Sequence, residues 1–337
     1  MNSLPYTLPV IWALLIGTAV ALYVILDGFD LGVGILFPFF KPEQQRDHIM
    51  HSVGPHWDGN QTWLVLGGGG LWVAFPKAYA IIMSALYMPI IVMLLALIFR
   101  GVSFEFRWAA KPHHRKWDIA FAAGSTVAAF AQGIVLGGLL QEIRVDNGKF
   151  AGGSLDFLTP FSAMCGVALV AGYALLGATW LIMKTEIELE QRARKLAVPL
   201  LIAMLAFIAV VSLWTPLHSE RIALRWFSLP NLYWLAPLPI ATIAFSYLCW
   251  KGIVQKKMFQ PFISAVMLFM LSYAGLIVSN IPYLVPPSIT IWDAAADPSS
   301  QVFMLIGTVL LLPIILGYSA LVFWLFRGKI RQGQSYH

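Results

Sequence analysis

Leu26-Asp27-Gly28-Phe29-Asp30-Leu31-Gly32-Val33-Gly34 decides how this chain is read, because it places two acids inside an apolar run from about Leu8 to Phe40. No other charge interrupts the run before Lys41. About 20 such residues suffice to cross the hydrocarbon of a bilayer as a helix. An ionised carboxylate there costs at least ~2.5–3.5 kcal/mol even on the lenient insertion scale, so both acids require partners, water or a task.

The rest of the composition agrees with a membrane setting. Of 337 residues, 59% are hydrophobic and 11% charged, and the mean hydropathy is +0.76. That balance describes a polytopic integral membrane protein and excludes a soluble enzyme. The two cysteines, Cys165 and Cys249, lie in apolar runs and read as packed thiols, not as a disulfide framework or a zinc site. A formal charge of +6 is no sign of a nucleic-acid partner here, since basic residues in such proteins sit in loops and set orientation. The N-terminus lacks the basic region and small-residue cleavage site of a signal peptide, so the first apolar stretch is expected to remain as a helix.

Runs long enough to span fall near 8–37, 58–76, 78–99, 118–140, 158–183, 197–215, 232–250, 259–283 and 303–326. The expected fold is therefore all-α and polytopic, one integral membrane domain over residues 1–337 with nine transmembrane helices. Helices one to four occupy about 8–140, five to eight about 158–283, and the ninth about 303–326. Pro76 and Lys77 alone separate the second run from the third, which predicts a tight helical hairpin. Pro216 and Pro282 end or kink the helices they follow. The connections 141–157, 216–231 and 284–302 read as loops.

Nine spans divide the 22 Lys and Arg residues very unevenly. Lys77, Arg144, Lys149, Arg221 and Arg225 fall on the side of the N-terminus, and the other seventeen, among them Arg100, Arg107, Lys111 and Arg331, on the opposite side. The positive-inside rule then predicts the N-terminus outside and the C-terminus inside. At ~1.5 Å per residue, Asp27 lies ~15 Å from the inner end of the first helix at Phe37, near mid-membrane.

Asp27 and Asp30, spaced i,i+3, share a helix face. They fit a proton relay of desolvated carboxyls, and equally a buried ion pair or capping contact that fixes packing. Gly28, Gly32 and Gly34 read as a close helix–helix contact. A third acid stands in Pro55-His56-Trp57-Asp58-Gly59-Asn60-Gln61-Thr62-Trp63. Asp58 suits an N-cap or first-turn position, which leaves Asn60 and Gln61, deeper in the run, unexplained. Trp57 and Trp63 fit interfacial anchors, and Gly67 to Gly70 would admit another helix or a bulky cofactor, or simply loosen the helix.

His48, His51, His56, His113, His114, His218 and His337 all fall in loops or at helix ends in this placement, so axial haem ligation within the chain is not expected. Met164, Met183, Met204 and Met267 read as packing. Ile291-Trp292-Asp293-Ala294 repeats the Trp-Asp dipeptide on the outer side. The segment Lys184 to Lys195 predicts a solvated helical extension with Glu188 and Arg192 paired at i,i+4.

Taken together, Asp27 to Gly34 and Pro55 to Leu64 resemble subunit II of the cytochrome bd family of quinol oxidases. The likeness extends to Phe99-Arg100-Gly101-Val102-Ser103-Phe104-Glu105-Phe106-Arg107, to Gly177-Ala178-Thr179 and to Thr290-Ile291-Trp292-Asp293-Ala294, and so runs over the whole chain. The resemblance implies two four-helix bundles plus one extra helix, paired with a subunit I that carries two haems b and one haem d. It implies a complex that oxidises quinol, reduces dioxygen to water and takes its protons from the cytoplasm of a bacterium, with this chain multi-pass in the inner membrane and ligating no haem. On this chain it implies a proton pathway of Asp58, Asp27 and Asp30, with Asp58 as the entry station, Asp27 as the next one inward and Asp30 matching the motif with a less defined part, and it implies Trp63 on an oxygen route. A structural quinone or lipid and small single-helix accessory subunits are further expected partners. The short outer segment between helices six and seven resembles the cyanide-insensitive branch. The alternative of another class is an ion-coupled transporter using the same acids with broken helices.

Overall fold

The computed structural model describes residues 4–110 and 114–329. Lys111, His113, Arg331 and His337, used in the charge and histidine readings, lie outside them. The order is α1 (Leu4–Leu36), a 3-10 turn (Phe37–Phe39), α2 (Glu43–Val53), α3 (Trp57–Ala74), α4 (Pro76–Ala109), α5 (Arg115–Leu140), a hairpin of β1 (Val145–Asp146) and β2 (Lys149–Phe150), and α6 (Pro160–Lys184). Then follow α7 (Ile187–His218), α8 (Glu220–Phe227), α9 (Asn231–Leu235), α10 (Pro237–Val254), α11 (Gln260–Asn280), a hairpin of β3 (Tyr283–Val285) and β4 (Ile289–Thr290), and α12 (Pro298–Leu325).

Among the described residues, eight helices are long and apolar enough to cross a membrane. The expected second span, α3, is not one of them. Asp58, Asn60, Gln61 and four consecutive glycines dilute its apolar content, and it packs along α1 instead of standing alone. The turn before α4 falls at Phe75, one residue earlier than expected, because Pro76 starts the next helix where its missing N–H costs nothing. Short helices α2 and α8 and the two hairpins occupy segments expected to be plain loops. His48 and His51 accordingly sit in α2.

The packing has a clear centre. α1 lies against α3, α5 and α6, α4 against α5, and α5 against α6. α6 continues onto α7 and α11, and α10 pairs with α11. α12 packs chiefly on the outer flank of α1 and α3, and its Phe323 also meets the Trp180 ring of α6.

Glycines set the closest crossing. A Cβ on Gly32 would stand 1.8 Å from the Tyr173 carbonyl oxygen, and one on Gly177 2.3 Å from the carbonyl carbon of Gly32, so the α1 and α6 backbones touch. Gly28 serves differently: its missing side chain leaves room for the Tyr173 ring, which a Cβ would approach to 2.8 Å. In α3, Gly67 and Gly70 face Val20 and Ile16 of α1, whereas Gly68 and Gly69 face open space.

Gly177→Val should therefore force the α1–α6 backbones apart. Overpacking typically costs ~1–3 kcal/mol, read as a lowered unfolding midpoint of the purified complex; Gly68→Ala should leave that midpoint in place.

Candidate functional site

Hydropathy alone stops the third span near Phe99, but α4 continues to Ala109. Ten further residues carry Arg100 and Arg107 into the helix, where both side chains are buried. A buried guanidinium survives only when paired, and α1 supplies the partners. Arg100 donates from Nη1 to Asp27 Oδ1 at 2.7 Å, and its Nη2 lies 3.8 Å from Asp30 Oδ2. All three side chains are 0% exposed. From α3, Asn60 donates through Nδ2 to Asp30 Oδ2 at 2.7 Å and to the Leu26 carbonyl at 3.1 Å.

One arginine, two aspartates and one asparagine thus lock three helices together. The ion pair anticipated as one of two readings of the aspartates is present. Hydrogen-bonding capacity is left over: Asp27 Oδ2, Asp30 Oδ1, and Arg100 Nε and Nη2 have no bonding partner among the described residues. Beside the site, Phe104 lies under the Arg100 guanidinium and stacks on Trp57 at 5.0 Å, and Gly101 leaves room for the Trp57 ring.

A second cluster lies two turns further along α4. Arg107 donates from Nε to Asp118 Oδ1 at 2.7 Å and from Nη1 to Asp47 Oδ1 at 2.6 Å. Arg46 reaches Asp118 Oδ2 at 2.9 Å and the Phe40 carbonyl at 2.7 Å. The Arg107 guanidinium also lies 5.8 Å from the Phe37 ring centre and 5.3 Å from that of Trp108. This network ties α2, α4 and α5 to the end of α1.

Asp58 is elsewhere. It sits exposed in the first turn of α3, after an N-cap at His56. Among the described residues, no side-chain hydrogen bond or ion pair joins it to Asp27 or Asp30. Gln61 is partly buried, with its Nε2 unpartnered. Trp63 is 2% exposed and packs with Ala19 and Tyr23, so its ring lies inside the protein and not at a membrane surface. It borders an apolar cavity of about 260 Å³ between α1, α3 and α12.

His56 is buried, stacked at 4.5 Å on Phe323 of α12. Burial, reinforced by the nearby Lys184 charge, pushes its pKa down to about 4, so the ring is neutral at physiological pH. Lys184 in turn donates to the Phe326 carbonyl. The expected Glu188–Arg192 pair is corrected: Glu188 accepts from Gln45, and the i,i+4 bridge is Glu190–Arg194 at 2.7 Å, with Lys329 also on Glu190. The second Trp-Asp dipeptide forms a local turn in which Asp293 accepts from the Thr290 hydroxyl and amide. Among the described residues, no three His, Cys, Asp or Glu side chains are gathered to hold a metal ion.

Sequence reasoning found Asp27, Asp30 and Asn60 but not Arg100, Arg107, Asp47 or Asp118, which it counted as loop charges or passed over. The available signal was the spacing of the arginines. Seven residues apart, they share a helix face if the helix is allowed to continue past its first charge.

A helical, multi-pass membrane protein with a buried carboxylate–arginine centre is the class these features define. Residues 8–326 match the family described as cytochrome bd terminal oxidase subunit II. The chain is 30% identical over 367 residues to cytochrome bd-I ubiquinol oxidase subunit 2 of Escherichia coli K12, covering 95% of this chain and 94% of that one. Its identity to cytochrome bd ubiquinol oxidase subunit 2 of Bacillus subtilis is 27% over 338 residues, with 95% and 96% covered. The fold resembles a chain of the bd oxidase from Geobacillus thermodenitrificans with a TM-score of 0.79, at 19% identity, covering 95% of this chain and 98% of that one. The chain belongs to the cytochrome bd terminal oxidase subunit II family, and is thereby a component of a quinol:oxygen oxidoreductase.

Removing one member of a buried pair strands the other's charge, at ~3–5 kcal/mol. Arg100→Met should lower the recovery and unfolding midpoint of the complex sharply, and adding Asp27→Asn should restore part of the loss.

Proposed function

We propose that this chain pairs with a haem-bearing subunit I, supports its assembly and supplies it with protons from the cytoplasm while quinol is oxidised and dioxygen reduced to water. The observation that carries this reading is the buried Asp27–Arg100–Asp30 centre inside the apolar core of a chain of this family. Two carboxylates against one guanidinium leave room for one exchangeable proton, and the unpaired oxygens and nitrogens around them are groups that ordered water would bridge.

Orientation follows from charge. The end of the molecule holding α2, the C-terminus of α4 and the N-terminus of α5 is the arginine- and lysine-rich end, assigned to the cytoplasm. Counting α3 as a ninth span, packed against α1, keeps the two ends of the chain on opposite sides. It also groups α1, α3, α4 and α5 as one bundle and α6, α7, α10 and α11 as the other, with α12 as the extra helix. Asp58, exposed at the cytoplasmic start of α3, is the entry station. Asn60, two residues deeper and bonded to Asp30, leads to the centre, from which Asp27 is the inward station and Asp30 holds the helices in register.

Trp63, beside the apolar cavity, lines an oxygen route from the lipid side. The two haems b and the haem d belong to subunit I: the described histidines of this chain lie at helix ends or in α2, not across the bundle from one another. The apolar outer faces of α10 and α12 suit subunit I, lipid, a structural quinone or small single-helix subunits. The family assignment leaves the transporter alternative without support.

Asp58→Asn should slow quinol-driven oxygen consumption several-fold with normal haem content; a fully assembled variant turning over at the wild-type rate would remove Asp58 from the path. Trp63→Ala should alter oxygen affinity or carbon-monoxide rebinding, and unchanged kinetics would make Trp63 a packing residue.

A further inference from the structure

The charged centre has a neutral extension that its chemistry has not yet used. On α1, Tyr23 lies one turn before Asp27 and on the same face. Its hydroxyl oxygen accepts from Gln132 Nε2 of α5 at 2.6 Å. Gln132 Oε1 accepts from the hydroxyl of Tyr173 of α6 at 2.8 Å. Tyr23 is 4% exposed and Tyr173 0%, so three helices meet at a buried hydrogen-bonded file.

The file has one direction. Tyr173 spends its only proton on Gln132, and Gln132 spends an amide proton on Tyr23. The Tyr23 proton must then point onward, and the acceptor facing it is the Asp27 carboxylate. That last approach is looser than a regular hydrogen bond, since Asp27 Oδ2 has no partner in strict bonding geometry. Aligned donors polarise one another, and a donor to an ionised acceptor is the strongest of them.

We infer that Tyr23, backed by Gln132 and Tyr173, is a positioning residue for the proton path: it holds the free oxygen of Asp27 opposite Arg100 and sets how readily Asp27 takes up and yields a proton. Gly28 belongs to the same device, since any side chain there would strike the Tyr173 ring. An amide passes no proton without tautomerising, so Gln132 also ends the path at Asp27 on this side. The inference rests on the proposed role of Asp27 in that path.

The other groups around Asp27 are few. Arg100 faces it from α4, Asp30 from α1 and Tyr173 from α6. Asn60 of α3 is neutral and bonds Asp30. From α11, Tyr273 bonds the Gly17 carbonyl ten residues before Asp27, and α12 presents the apolar Leu312 and Ile315 to this stretch of α1.

The test is the pH profile of quinol-driven oxygen consumption by the whole complex at saturating quinol and oxygen. Tyr23→Phe removes the donor to the anion, so the alkaline midpoint should move up by about one pH unit, the size expected of a hydrogen bond to a charged group. Gln132→Leu and Tyr173→Phe should move it less, in the same direction, with haem content unchanged. If a single variant fails to assemble, the triple variant Tyr23→Phe/Gln132→Leu/Tyr173→Phe removes every partner together and keeps the shape, which is close to neutral for stability. An unmoved midpoint in assembled Tyr23→Phe or in the triple variant overturns the inference. Asp27→Asn separates it from the reading beneath: slowed turnover there with an unmoved Tyr23→Phe profile sinks the positioning role alone, whereas a wild-type rate and profile in Asp27→Asn sinks the path through Asp27 and this inference with it.

Discussion

One guanidinium, that of Arg100, is held without solvent contact between two carboxylates of a neighbouring helix, and the central packing is arranged around it. Burying a charge is affordable only when its partners arrive in good geometry. That requirement fixes how far α4 must extend, which face of α1 points inward and how deep α3 must sit for Asn60 to reach Asp30. The α1–α6 contact through Gly32 and Gly177 then closes the opposite side of α1, so the helix bearing the acids is clamped by charge on one flank and by backbone contact on the other.

Much of this was legible in the sequence. The membrane class, the helical fold, the positions of most spans and the family resemblance follow from apolar run lengths and two long motifs. The contact between α1 and α6 was legible in its type, from the spacing of Gly28 and Gly32, though only Gly32 brings backbones together. Arg100 and Arg107 were not legible, for a physical reason: hydropathy treats a charge as the end of a membrane helix, whereas a paired charge continues it. The same rule credits α3 with independence it lacks, since its polar first turn and glycines gain their place by packing on α1. Glu190–Arg194 has the same i,i+4 spacing as Glu188–Arg192, so spacing offers both pairs; which one forms is settled where α7 meets its neighbours, since Gln45 takes up Glu188 and Lys329 joins Glu190.

The two clusters along α4 differ in kind. Around Arg107, Asp47 and Asp118 most bonding capacity is used, and the network joins elements at the end of the bundle in the manner of a structural tie. Around Arg107 one buried nitrogen, Nη2, has no hydrogen-bond partner among the described residues, against four such atoms around Arg100: its Nε and Nη2, Asp27 Oδ2 and Asp30 Oδ1. Buried polar atoms are normally paired by protein or by ordered water, so the Arg100 centre is the place in this bundle with the most bonding capacity to offer water. The proton relay proposed for Asp27 would draw on that capacity.

α12 carries a consequence of its own. Its apolar middle touches little of the chain, but its two ends are fastened: Trp12 of α1 donates to the Gln301 carbonyl, the Gln301 amide donates to the Ala296 carbonyl and lies at the limit of reach of the Ala74 carbonyl, and at the far end Phe323 stacks on His56 while Lys184 holds the Phe326 carbonyl. These fastenings pin α12 at its two ends, while its middle, beside the cavity next to Trp63, meets α1 and α3 through side-chain packing. Among the described residues no hydrogen bond joins that middle to a neighbouring helix, so side chains can part there at a cost in packing alone. The flank where oxygen is proposed to enter is thus covered by a helix that is fixed at its ends and compliant between them.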